Sequence, residues 1–569
     1  MSSEAKWYKY YGNIPKTLDY PDISMYQMVK NAQLLNGELI AYDFMGKATT
    51  YTEFLDQIEV CAKALIAQGV KQGDAVTVCL PNVPQAVIMF YAINRIGAIA
   101  SMVHPLSAEN EIMFYLNETN SRLAITLSRF YDKFEAIKGK TKVEKIIVAT
   151  IGEALPLVKS IAYKFIGHEP KVADANGVIS WPDFLKSAQN TNEEITYEGK
   201  GADDAVILFS GGTTGTSKGI LLTNLNFNAL AMQTIAAAEC YSTGDAMLSV
   251  MPVFHGFGLG VGIHTFLAHS GKCVLVPQIN VNEFASLFKK YRPNFMAGVP
   301  TLYEGMMRNE DMKNSDLSCL KGVFSGGDTL SISLKRKIDA FVRERGAEIQ
   351  VREGYGTTEC VTASCLTPTD YYREGSIGIP FPDTFYKIVI PNTRDEAQVG
   401  EMGEICLAGP TLMKGYINNP KETNLALQQH EDGKIYLHTG DLGYMDEDGF
   451  VYFVQRLKRM IITSGYNVYP SQIENVIDSH EAVQFSTVIG VKDDYRMQRV
   501  KAYVVLKPGF APNEEIVNSI KRHCEKSIAK YALPREYEFR DNLPKTLVGK
   551  IAYRELEKEE EEKQLVNNA

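Results

Sequence analysis

Ten consecutive residues, Ser210 to Gly219, carry side chains of the types that bind phosphate. They comprise four glycines, three threonines, two serines and Lys218. Glycines let the backbone turn tightly and bring its N–H groups close to an anion, while hydroxyls donate hydrogen bonds and the lysine adds a positive charge. The run differs from a Walker A loop, which has glycine directly before its lysine, because Ser217 stands there. The pattern favours a phosphate-binding loop over the alternative, a flexible surface loop.

The run also resembles the phosphate-binding signature of the adenylate-forming enzymes, a superfamily of acyl-CoA synthetases, peptide-synthetase adenylation domains and luciferases. In that family a loop rich in Gly, Ser and Thr ends in Lys-Gly, as Lys218-Gly219 does here. The resemblance implies that the loop binds ATP, and that Lys218 and the hydroxyl of Thr213 act in catalysis by holding the leaving pyrophosphate. The ATP-binding residues that it implies in this loop are Ser210, Gly211, Gly212, Thr213, Thr214, Gly215 and Lys218.

A second stretch, Gly354-Tyr355-Gly356-Thr357-Thr358-Glu359, resembles the adenine and magnesium motif of the same family. The resemblance implies that Tyr355 lies against adenine, that Thr358 bonds a phosphate and that Glu359 holds Mg²⁺. A carboxylate suits this role because Mg²⁺ is a hard cation that keeps its other positions for phosphate and water. The ATP-binding residues implied in this stretch are Gly354, Tyr355, Gly356 and Thr358.

Two further stretches complete the expected nucleotide site. Ser325-Gly326-Gly327-Asp328 resembles the segment that covers the other face of adenine, although family members often carry small apolar residues where Asp328 stands. Thr439-Gly440-Asp441-Leu442-Gly443 resembles the ribose motif, in which the aspartate accepts both ribose hydroxyls. The residues that the resemblance adds to the ATP-binding set are Gly326, Gly327, Asp328, Asp441 and Arg456.

The last part of the chain resembles the mobile C-terminal part of these enzymes. Arg456-Leu457-Lys458 matches the hinge motif, which places the hinge at Lys458, and the segment 544–550 matches the catalytic-lysine motif. Lys550 would contact the substrate carboxylate and the α-phosphate. After rotation about the hinge, Ser464-Gly465-Tyr466 would face the pantetheine arm of coenzyme A, where a glycine leaves room for a narrow tunnel.

Each of these residues alone has an ordinary alternative explanation. Asp441 would be a turn residue, Glu359 a solvated carboxylate or a charge at a helix N-terminus, and Lys550 a surface lysine. The order and spacing of the motifs over roughly the last two-thirds of the chain favour the family instead. Weaker family blocks at 375–378 and 403–405 follow the same order.

The resemblance implies a two-step reaction that uses ATP, Mg²⁺ and coenzyme A. A carboxylic acid attacks the α-phosphorus of ATP, pyrophosphate leaves, and a thiol then takes the acyl group from the acyl-adenylate. Loading of a carrier protein is an alternative second step, although no carrier-like segment is attached. A non-catalytic nucleotide-binding relative is a further alternative, which the presence of Lys550, Glu359 and Asp441 disfavours.

The acid itself is less well specified. The segment 252–262 occupies the position of the acyl-pocket helix in the family, and its glycines either open a long apolar channel or mark close helix packing. His255 is predicted to act in catalysis by gating the pocket or by orienting the carboxylate, and the alternative is a structural histidine. We expect a medium- or long-chain fatty acid, with an aromatic or steroid-like acid as the alternative. The acyl-pocket residues are predicted to be His255, Gly256, Phe257, Gly258 and Val299.

Composition bounds the class of protein. A chain of 569 residues exceeds one hydrophobic core, and its 45% hydrophobic and 22% charged residues are ordinary for a globular protein. The net charge of −9 argues against a nucleic-acid partner. The nine cysteines form no Cys-x-x-Cys pair, so neither a structural zinc site nor a disulfide framework is indicated. Cys360 and Cys365 are expected to support a pocket.

The arrangement of apolar segments predicts an α/β fold. Short continuous apolar strands such as 75–80, 123–127 and 204–209 alternate with helical stretches, which indicates parallel sheets covered on both faces. From 382 to 452, short alternating strands predict a β-rich subdomain. We therefore expect a large N-terminal domain, 1–456, with two parallel-rich sheets, helices and the β-rich subdomain, and a small mobile α+β domain, 457–569.

The expected location is the cytoplasm, since the N-terminus lacks the layout of a signal peptide. The apolar stretch from 84 to 103 is interrupted by polar residues and glycine, which predicts a buried helix and strand. The segment 153–166 is amphipathic and resembles a Leu-Pro-rich insert of long-chain fatty acyl-CoA ligases. It either contacts the inner face of a membrane peripherally or packs on its own domain, and the second alternative is slightly favoured. A homodimer stays open.

Overall fold

The computed structural model describes residues 5–166, 176–210, 217–463, 466–493, 497–545 and 551–567. The chain divides into two compact units. Unit 1 comprises 1–330, 334–386 and 407–437, and unit 2 comprises 331–333, 387–406 and 438–569. The chain thus enters unit 2 before the last part of unit 1. The predicted domain boundary between 456 and 457 stays a prediction.

The described helices and strands alternate along most of unit 1. The strands are β1 Ile40–Phe44, β2 Lys47–Thr50, β3 Ala75–Cys79, β4 Ile99–Met102, β5 Leu123–Leu127, β6 Lys145–Ala149, β7 Val178–Ser180, β8 Asp204–Ser210, β9 Lys218–Thr223, β10 Ala246–Ser249, β11 Lys272–Leu275, β12 Phe295–Gly298, β13 Gly322–Ser325, β14 Val351–Tyr355, β15 Cys365–Leu366, β16 Ile379–Pro380, β17 Phe385–Val389, β18 Gly403–Ala408, β19 Gly415–Tyr416, β20 Leu427–Gln429, β21 Ile435–Met445, β22 Val451–Arg456, β23 Ile461–Thr463, β24 Tyr466–Val468, β25 Val483–Asp493, β26 Met497–Leu506 and β27 Glu536–Phe539. The α-helices are α1 Met25–Asn36, α2 Tyr51–Ala67, α3 Pro84–Arg95, α4 Glu109–Thr119, α5 Tyr131–Ile137, α6 Leu157–Ile166, α7 Trp181–Lys186, α8 Asn224–Ala238, α9 Thr265–Ala268, α10 Phe284–Tyr291, α11 Pro300–Arg308, α12 Ile332–Arg343, α13 Pro420–Ala426, α14 Pro470–Asp478, α15 Glu514–Glu525 and α16 Tyr553–Asn567.

Unit 1 contains two large, mainly parallel sheets. The first has the order β19-β9-β8-β4-β3-β5-β6-β7, and the second has the order β16-β15-β14-β13-β12-β10-β11-β1-β2. In both sheets the central strands pair in parallel. Antiparallel strands lie at one end of the first sheet, where β9 and β19 pair, and at both ends of the second. Central strands such as β5 are buried along their whole length, as expected for a parallel sheet with helices on both faces. The predicted α/β class is confirmed.

A third sheet, in the order β17-β18-β21-β20 with β22 beside β21, corresponds to the predicted β-rich stretch. The fourth sheet belongs to unit 2, in the order β24-β23-β26-β25 with β27 parallel to β26. Helices α14 and α15 contribute Ile473, Ile477 and Ile520 to the apolar core on this sheet. The α+β character expected of the C-terminal part is therefore confirmed.

The apolar stretch after residue 84 forms a helix and a strand inside unit 1. Helix α3 begins at Pro84, which suits the first helical position because its missing N–H would have no intrahelical partner. Every residue of this helix except Arg95 is buried. No helix in the described part of the chain is both long and apolar enough to cross a bilayer.

Candidate functional site

The glycine- and threonine-rich loop connects two paired strands of unit 1. Strand β8 runs antiparallel to β9, and Ser210 pairs with Lys218, so the loop closes a β-hairpin whose ends face each other. This arrangement brings the lysine back to the point where the loop begins. The predicted loop residues Gly211, Gly212, Thr213, Thr214 and Gly215 lie outside the described residues.

Lys218 makes two contacts within unit 1. Its ammonium forms an ion pair with Glu422 of α13, and the two side chains are 21% and 39% exposed. Its Nζ atom also lies 4.7 Å from the ring centroid of Tyr416, a cation–π distance. The lysine predicted to hold pyrophosphate is therefore already balanced by a carboxylate that is not part of any predicted motif.

Glu359, the predicted magnesium ligand, lies in a short 3₁₀ turn after β14. Its Oε1 atom accepts a hydrogen bond of 2.8 Å from the hydroxyl of Tyr416. Its backbone oxygen accepts a second one, also 2.8 Å long, from the N–H of Met413. Glu359 is partly exposed, and hydrogen bonds hold both its carboxylate and its backbone oxygen.

The remaining residues of this motif form the end of β14 and the turn after it. Gly354 and Tyr355 end the strand, and Thr358 begins the 3₁₀ turn. Gly356 lies so close to a neighbouring segment that a β-carbon would come within 2.2 Å of the backbone oxygen of Thr362. Glycine is therefore required here by close packing.

A small apolar cavity of unit 1 brings several predicted residues together. It has a volume of about 40 Å³. Phe257 lies on one side, and Val299 approaches through Gly327, whose added β-carbon would lie 3.5 Å from a methyl group of Val299. The lining residues are Thr234, Phe257, Val261, Phe324, Ser325, Gly326, Gly327, Gly354, Thr362, Ala363, Cys365, Leu366 and Phe381. Predicted adenine-side and acyl-side residues thus share one cavity.

Asp328, predicted to lie on the adenine face, is exposed three residues after the end of β13. Its Oδ1 accepts the N–H of Thr329 at 2.9 Å. Cys365 lines the cavity and Cys360 is buried beside Thr357. Both cysteines therefore occupy structural positions of the kind expected.

The predicted acyl-pocket helix has an unusual winding. Residues Phe257–His264 form a π-helix, in which hydrogen bonds run from residue i to i+5. An added β-carbon would come within 1.8 Å of the Val361 oxygen at Gly256 and within 2.1 Å of the Pro252 oxygen at Gly258. Close packing therefore accounts for these two glycines, and the acyl-pocket role of the segment stays a prediction.

Two histidines of this segment differ in environment. His255 is half-buried, and its Nδ1 accepts the N–H of Phe257 at 3.2 Å. His264 is fully buried between the hydroxyl of Tyr91 and Oδ1 of Asn228, both at 2.9 Å. Burial lowers the pKa of His264 to about 3. Because Asn228 offers an oxygen to Nε2, we infer that Nε2 carries the proton and that Nδ1 accepts from Tyr91.

In unit 2, the predicted ribose aspartate lies on β21. Asp441 is 2% exposed, and its Oδ1 lies 3.2 Å from Nε of Arg456, the residue paired with it on β22. Both members of the predicted ATP-binding pair are therefore adjacent. The preceding Gly440 has φ of +69°, a conformation that favours glycine, which explains this residue type at this position of β21.

Glu404 of the neighbouring strand β18 holds β21 at Gly440. Its two carboxylate oxygens accept hydrogen bonds from the N–H of Gly440 at 2.8 Å and from Nδ1 of His438 at 2.9 Å. The thiol of Cys406 completes a group of three candidate metal ligands within 4.8 Å of one another. Hydrogen bonding accounts for Glu404 and His438, and burial raises the pKa of Cys406, which disfavours the thiolate that a metal would need.

The hinge and coenzyme A residues lie in unit 2. Lys458 is exposed in a 3₁₀ turn, Leu457–Arg459. Strands β23 and β24 form a hairpin in which Thr463 pairs with Tyr466. The predicted coenzyme A residues Ser464 and Gly465 lie outside the described residues.

Lys550 also lies outside the described residues, but the chain on both sides of its segment is paired. Lys545 and Ile551 form a β-bridge, and the N–H of Ala552 donates to the oxygen of Pro544 at 2.8 Å. Leu543 and Leu556 anchor the flanking chain in a shared apolar cluster. The ends of the predicted catalytic segment are thus fixed to the body of unit 2.

The structure adds four polar residues that sequence reasoning did not single out for a role. They are Tyr416, Glu422, Glu404 and His438. Glu404 stood within a weak family block at 403–405, which was a usable signal. Tyr416 and Glu422 gave none, because their partners are 57 and 204 residues away in sequence.

The sequence matches the AMP-binding enzyme family over residues 30–417 and the AMP-binding enzyme C-terminal domain over residues 472–550. It is 34% identical over 573 residues to a long-chain-fatty-acid–CoA ligase of Bacillus subtilis (strain 168), covering 99% of both chains. It is 31% identical to a long-chain-fatty-acid–CoA ligase of Salmonella typhimurium, covering 97% of both chains.

Solved structures show that the fold is shared. ATP-bound MatB from Rhodopseudomonas palustris superposes with a TM-score of 0.82 at 23% identity, covering 95% of this chain and 99% of that chain. The family match spans more than half of this sequence, and relatives above 30% identity align along nearly all of it. The chain therefore belongs to the AMP-binding enzymes, the adenylate-forming family that its motifs resemble.

Proposed function

We propose that the protein is an ATP-dependent long-chain fatty acid–CoA ligase that works through an acyl-adenylate. The observation that carries the proposal is the full-length similarity to the Bacillus subtilis long-chain ligase at 34% identity. The presence of Lys218, Glu359, Asp441 and Lys550 supports it further, since a non-catalytic relative would be expected to lose such residues.

The first half-reaction joins the substrate carboxylate to the α-phosphorus of ATP and releases pyrophosphate. Negative charge grows on the phosphoryl oxygens, so catalysis depends on donors and cations fixed in advance. Lys218 and the Thr213 and Thr214 hydroxyls hold the leaving pyrophosphate, and Lys550 contacts the carboxylate and the α-phosphate. The ion pair with Glu422 holds the ammonium of Lys218 before substrate arrives.

Glu359 fits the role of a magnesium ligand. Carboxylate oxygen is the donor that Mg²⁺ prefers, the residue is partly exposed, and Tyr416 holds one of its oxygens. When bound, Mg²⁺ supplies positive charge to the phosphate oxygens. The chain's own contribution is an oriented carboxylate at the end of β14.

Asp441 holds the ribose of ATP through its carboxylate. Arg456 balances the buried charge of Asp441, and Glu404 fixes the backbone of the preceding Gly440. These contacts concern ATP binding rather than the transfer of the acyl group. Loss of Asp441 should therefore affect the KM for ATP more than that for the acid.

The second half-reaction transfers the acyl group from AMP to the thiol of coenzyme A. Lys550 is not needed for this step, so we propose that the chain turns at Lys458 and presents the hairpin containing Ser464, Gly465 and Tyr466. A glycine at position 465 leaves room for the pantetheine arm. A bulky residue there should block thioester formation and leave adenylation intact.

The cavity beside Phe257 supports an apolar acid. Its lining is mainly aliphatic and aromatic, which suits an alkyl chain. Its volume of about 40 Å³ is far below the roughly 300–1,000 Å³ of ordinary ligand pockets, so a long chain requires lining side chains to move. Phe257, Phe324 and Phe381 are the largest of these.

A screen of free acids tests the proposed substrate. Octanoate, laurate, palmitate and oleate are compared with benzoate and cholate, with pyrophosphate release and acyl-CoA both measured. We expect the highest kcat/KM with palmitate or oleate. A preference for benzoate or cholate would replace the substrate class, and adenylation without acyl-CoA formation would favour a carrier protein as acceptor.

We also propose that α6 contacts the surface of a membrane from the cytoplasmic side. Leu157, Val158 and Ile161 of this helix are 78%, 80% and 52% exposed, so these three apolar side chains are not buried on unit 1. Lys159 donates to the backbone oxygen of Met45 at 2.7 Å, which places Met45 beside the helix. The side chain of Met45 is also exposed. An exposed apolar face with lysine at its rim is typical of interfacial helices.

Sedimentation with vesicles of phosphatidylcholine and phosphatidylglycerol tests this contact. Wild type should sediment with the vesicles, and a variant with Leu157→Glu and Val158→Glu should remain in solution with unchanged activity on octanoate. The matched control carries Leu34→Glu and Leu35→Glu, which changes a similarly exposed pair on α1. Equal loss in both variants, or no vesicle binding by wild type, would contradict the proposal.

A further inference from the structure

Tyr416 of unit 1 contacts two side chains that the motifs assign to different parts of the ATP site. Its hydroxyl donates to Oε1 of Glu359 at 2.8 Å, and its ring centroid lies 4.7 Å from Nζ of Lys218. One side chain therefore touches both the expected magnesium ligand and the expected pyrophosphate-binding lysine.

The backbone fixes the position of this tyrosine. Strand β19 pairs antiparallel with β9, with Tyr416 opposite Ile220. Lys218 is two residues before Ile220 and therefore on the same face, where it is a diagonal neighbour of the tyrosine. The N–H of Tyr416 donates to Oγ1 of Thr423 at 2.9 Å, which ties the strand to α13.

The chain on both sides of the tyrosine is also anchored. The N–H of Lys414 donates to the oxygen of Leu221, and the N–H of Ile417 donates to the oxygen of Gly219, both at 2.9 Å. The N–H of Met413 donates to the backbone oxygen of Glu359. The segment that carries the tyrosine is thus fastened both to β9 and to the 3₁₀ turn of the carboxylate.

The two contacts of the tyrosine differ in chemistry. A hydroxyl that donates to a carboxylate restricts its rotation and leaves the carboxylate as an acceptor, which is how outer partners orient metal ligands. The face of the ring attracts an ammonium group without using any of its hydrogens. Lys218 therefore keeps donors for phosphate even while the ring holds it, whereas Glu422 occupies one of them.

We propose that Tyr416 is a positioning residue that orients Glu359 for Mg²⁺ through its hydroxyl and Lys218 for pyrophosphate through its ring. The inference rests on the proposed function, because it assumes that Glu359 and Lys218 meet Mg²⁺ and ATP. It predicts that the two contacts can be removed separately, with different consequences.

Equilibrium binding of ATP, measured by calorimetry without any acid, separates them. Tyr416→Phe removes only the hydroxyl. ATP affinity in Mg²⁺ should fall about tenfold or more, the usual cost of losing an outer partner of a metal ligand. ATP affinity in EDTA should stay unchanged. Tyr416→Leu removes the ring as well and should weaken ATP binding under both conditions.

A structural tyrosine offers a matched control. The hydroxyl of Tyr20 donates to Oδ2 of Asp383 at 2.8 Å, also within unit 1 but with no predicted contact to substrate. Tyr20→Phe should leave both ATP affinities unchanged. If it shifts the Mg²⁺-dependent affinity as Tyr416→Phe does, the effect is one of general packing and the proposal is wrong.

A double-mutant cycle identifies the route of the effect. Glu359→Gln combined with Tyr416→Phe should bind ATP in Mg²⁺ no more weakly than Glu359→Gln alone, because the hydroxyl acts through that carboxylate. Additive losses would overturn the proposal. If wild type binds ATP equally in Mg²⁺ and in EDTA, the magnesium role of Glu359 in the proposed function fails. If wild type depends on Mg²⁺ and Tyr416→Phe changes nothing, only the role of the tyrosine fails.

Discussion

The charged residues expected to meet ATP are held differently in the two units. In unit 1, Lys218 and Glu359 are partly exposed and are held by the side chains of Glu422 and Tyr416. In unit 2, Asp441 is 2% exposed on a long strand beside Arg456. The first arrangement can be changed one contact at a time, whereas the second is part of the packing of a sheet.

This difference has a physical reason. A lysine and a carboxylate that exchange partners during a reaction must remain accessible, since a sealed charge would need full compensation in every state. A carboxylate that only recognises hydroxyls can be built into a strand. The comparison predicts that substitutions in unit 1 change individual binding steps, while those near Asp441 also change stability.

The largest effect should come from Lys550, which we propose touches the reacting atoms. Lys550→Ala should slow adenylation by roughly 10²–10³-fold, equivalent to about 3–4 kcal/mol, because it removes a cation at the developing charge. Thioester formation from supplied acyl-AMP should continue. Pyrophosphate release and acyl-CoA formation, each measured in a single turnover, check the two half-reactions.

Lys545→Ala is the control, since Lys545 is an exposed lysine of the same region, where its backbone forms the β-bridge with Ile551. It should retain both half-reactions. Equal loss of both half-reactions in Lys550→Ala would contradict the assignment of this lysine to adenylation alone.

A smaller effect is expected for the ribose contact. Asp441→Ala should raise the KM for ATP roughly 10- to 150-fold, as expected for a lost hydrogen bond to a charged group worth about 1.5–3 kcal/mol. The KM for the acid should change far less. Steady-state kinetics with each substrate varied in turn give both values.

Glu447→Ala removes an exposed acidic residue six positions away on the same hairpin and should leave both constants unchanged. A 2′,3′-dideoxy ATP analogue should lose its disadvantage in Asp441→Ala. If wild type uses the analogue as well as ATP, the ribose role of Asp441 is wrong.

Glu404, which accepts a hydrogen bond from the backbone next to Asp441, should affect stability as well as binding. Glu404→Ala leaves the N–H of Gly440 and the ring of His438 without this acceptor. A buried group without its partner costs about 1–3 kcal/mol, so the free energy of unfolding should fall by that amount. Urea unfolding checks the loss, and the KM for ATP should rise less than in Asp441→Ala.

The matched variant in unit 1 is Glu422→Gln, which removes the charge that pairs with the partly exposed Lys218. Its free energy of unfolding should change by less than about 1 kcal/mol, because exposed pairs contribute little. A larger loss in Glu422→Gln than in Glu404→Ala would reverse the comparison between the units.

The last expected effect concerns the attachment of α16 and depends on pH. Glu560 lies within 2.9 Å of Nζ of the buried Lys501 and accepts the hydroxyl of Tyr503 at 3.0 Å. Burial alone would raise the pKa of Glu560, but hydrogen bonds from Lys563, Lys501 and Tyr503 lower it to about 2. The carboxylate therefore stabilises the fold above its ordinary pKa of 4.5, and this contribution is lost as the pH falls towards 2.

Glu560→Gln should lower the free energy of unfolding by about 1 kcal/mol at neutral pH, since Lys501 keeps its contact with Glu538 at 2.8 Å. The difference from wild type should shrink at about pH 3.5. Urea unfolding at the two pH values measures it. A difference that grows on acidification would mean that Glu560 is not ionised in the folded state.

The sequence predicted local features better than contacts between distant segments. Strand β8, the hairpin loop after it and helix α3 follow from apolar runs, glycine and proline, which act on neighbouring residues. The position of Tyr416 depends instead on a two-residue strand that pairs with a segment almost 200 residues earlier. No periodic pattern can arise in two residues.

Exposure was also hard to predict. The amphipathic pattern of 157–166 predicts a helix, but the same pattern fits a helix packed on its own unit and one whose apolar face meets solvent. The slightly favoured alternative was packing, yet Leu157 and Val158 are largely exposed. Which face is covered depends on neighbouring elements and not on the helix itself.

The π-helix between Phe257 and His264 gives the cavity wall a property that hinges and lids do not have. Its wider winding fits one more residue between the tightly packed Gly258 and the buried His264 than an α-helix would. If that residue moved out of the helix, α-winding would return and the side chains beyond that point would turn by about 100° each. Phe257 and Val261 line the cavity from this segment, so rewinding would reshape the wall only if the two hydrogen bonds of His264 were broken.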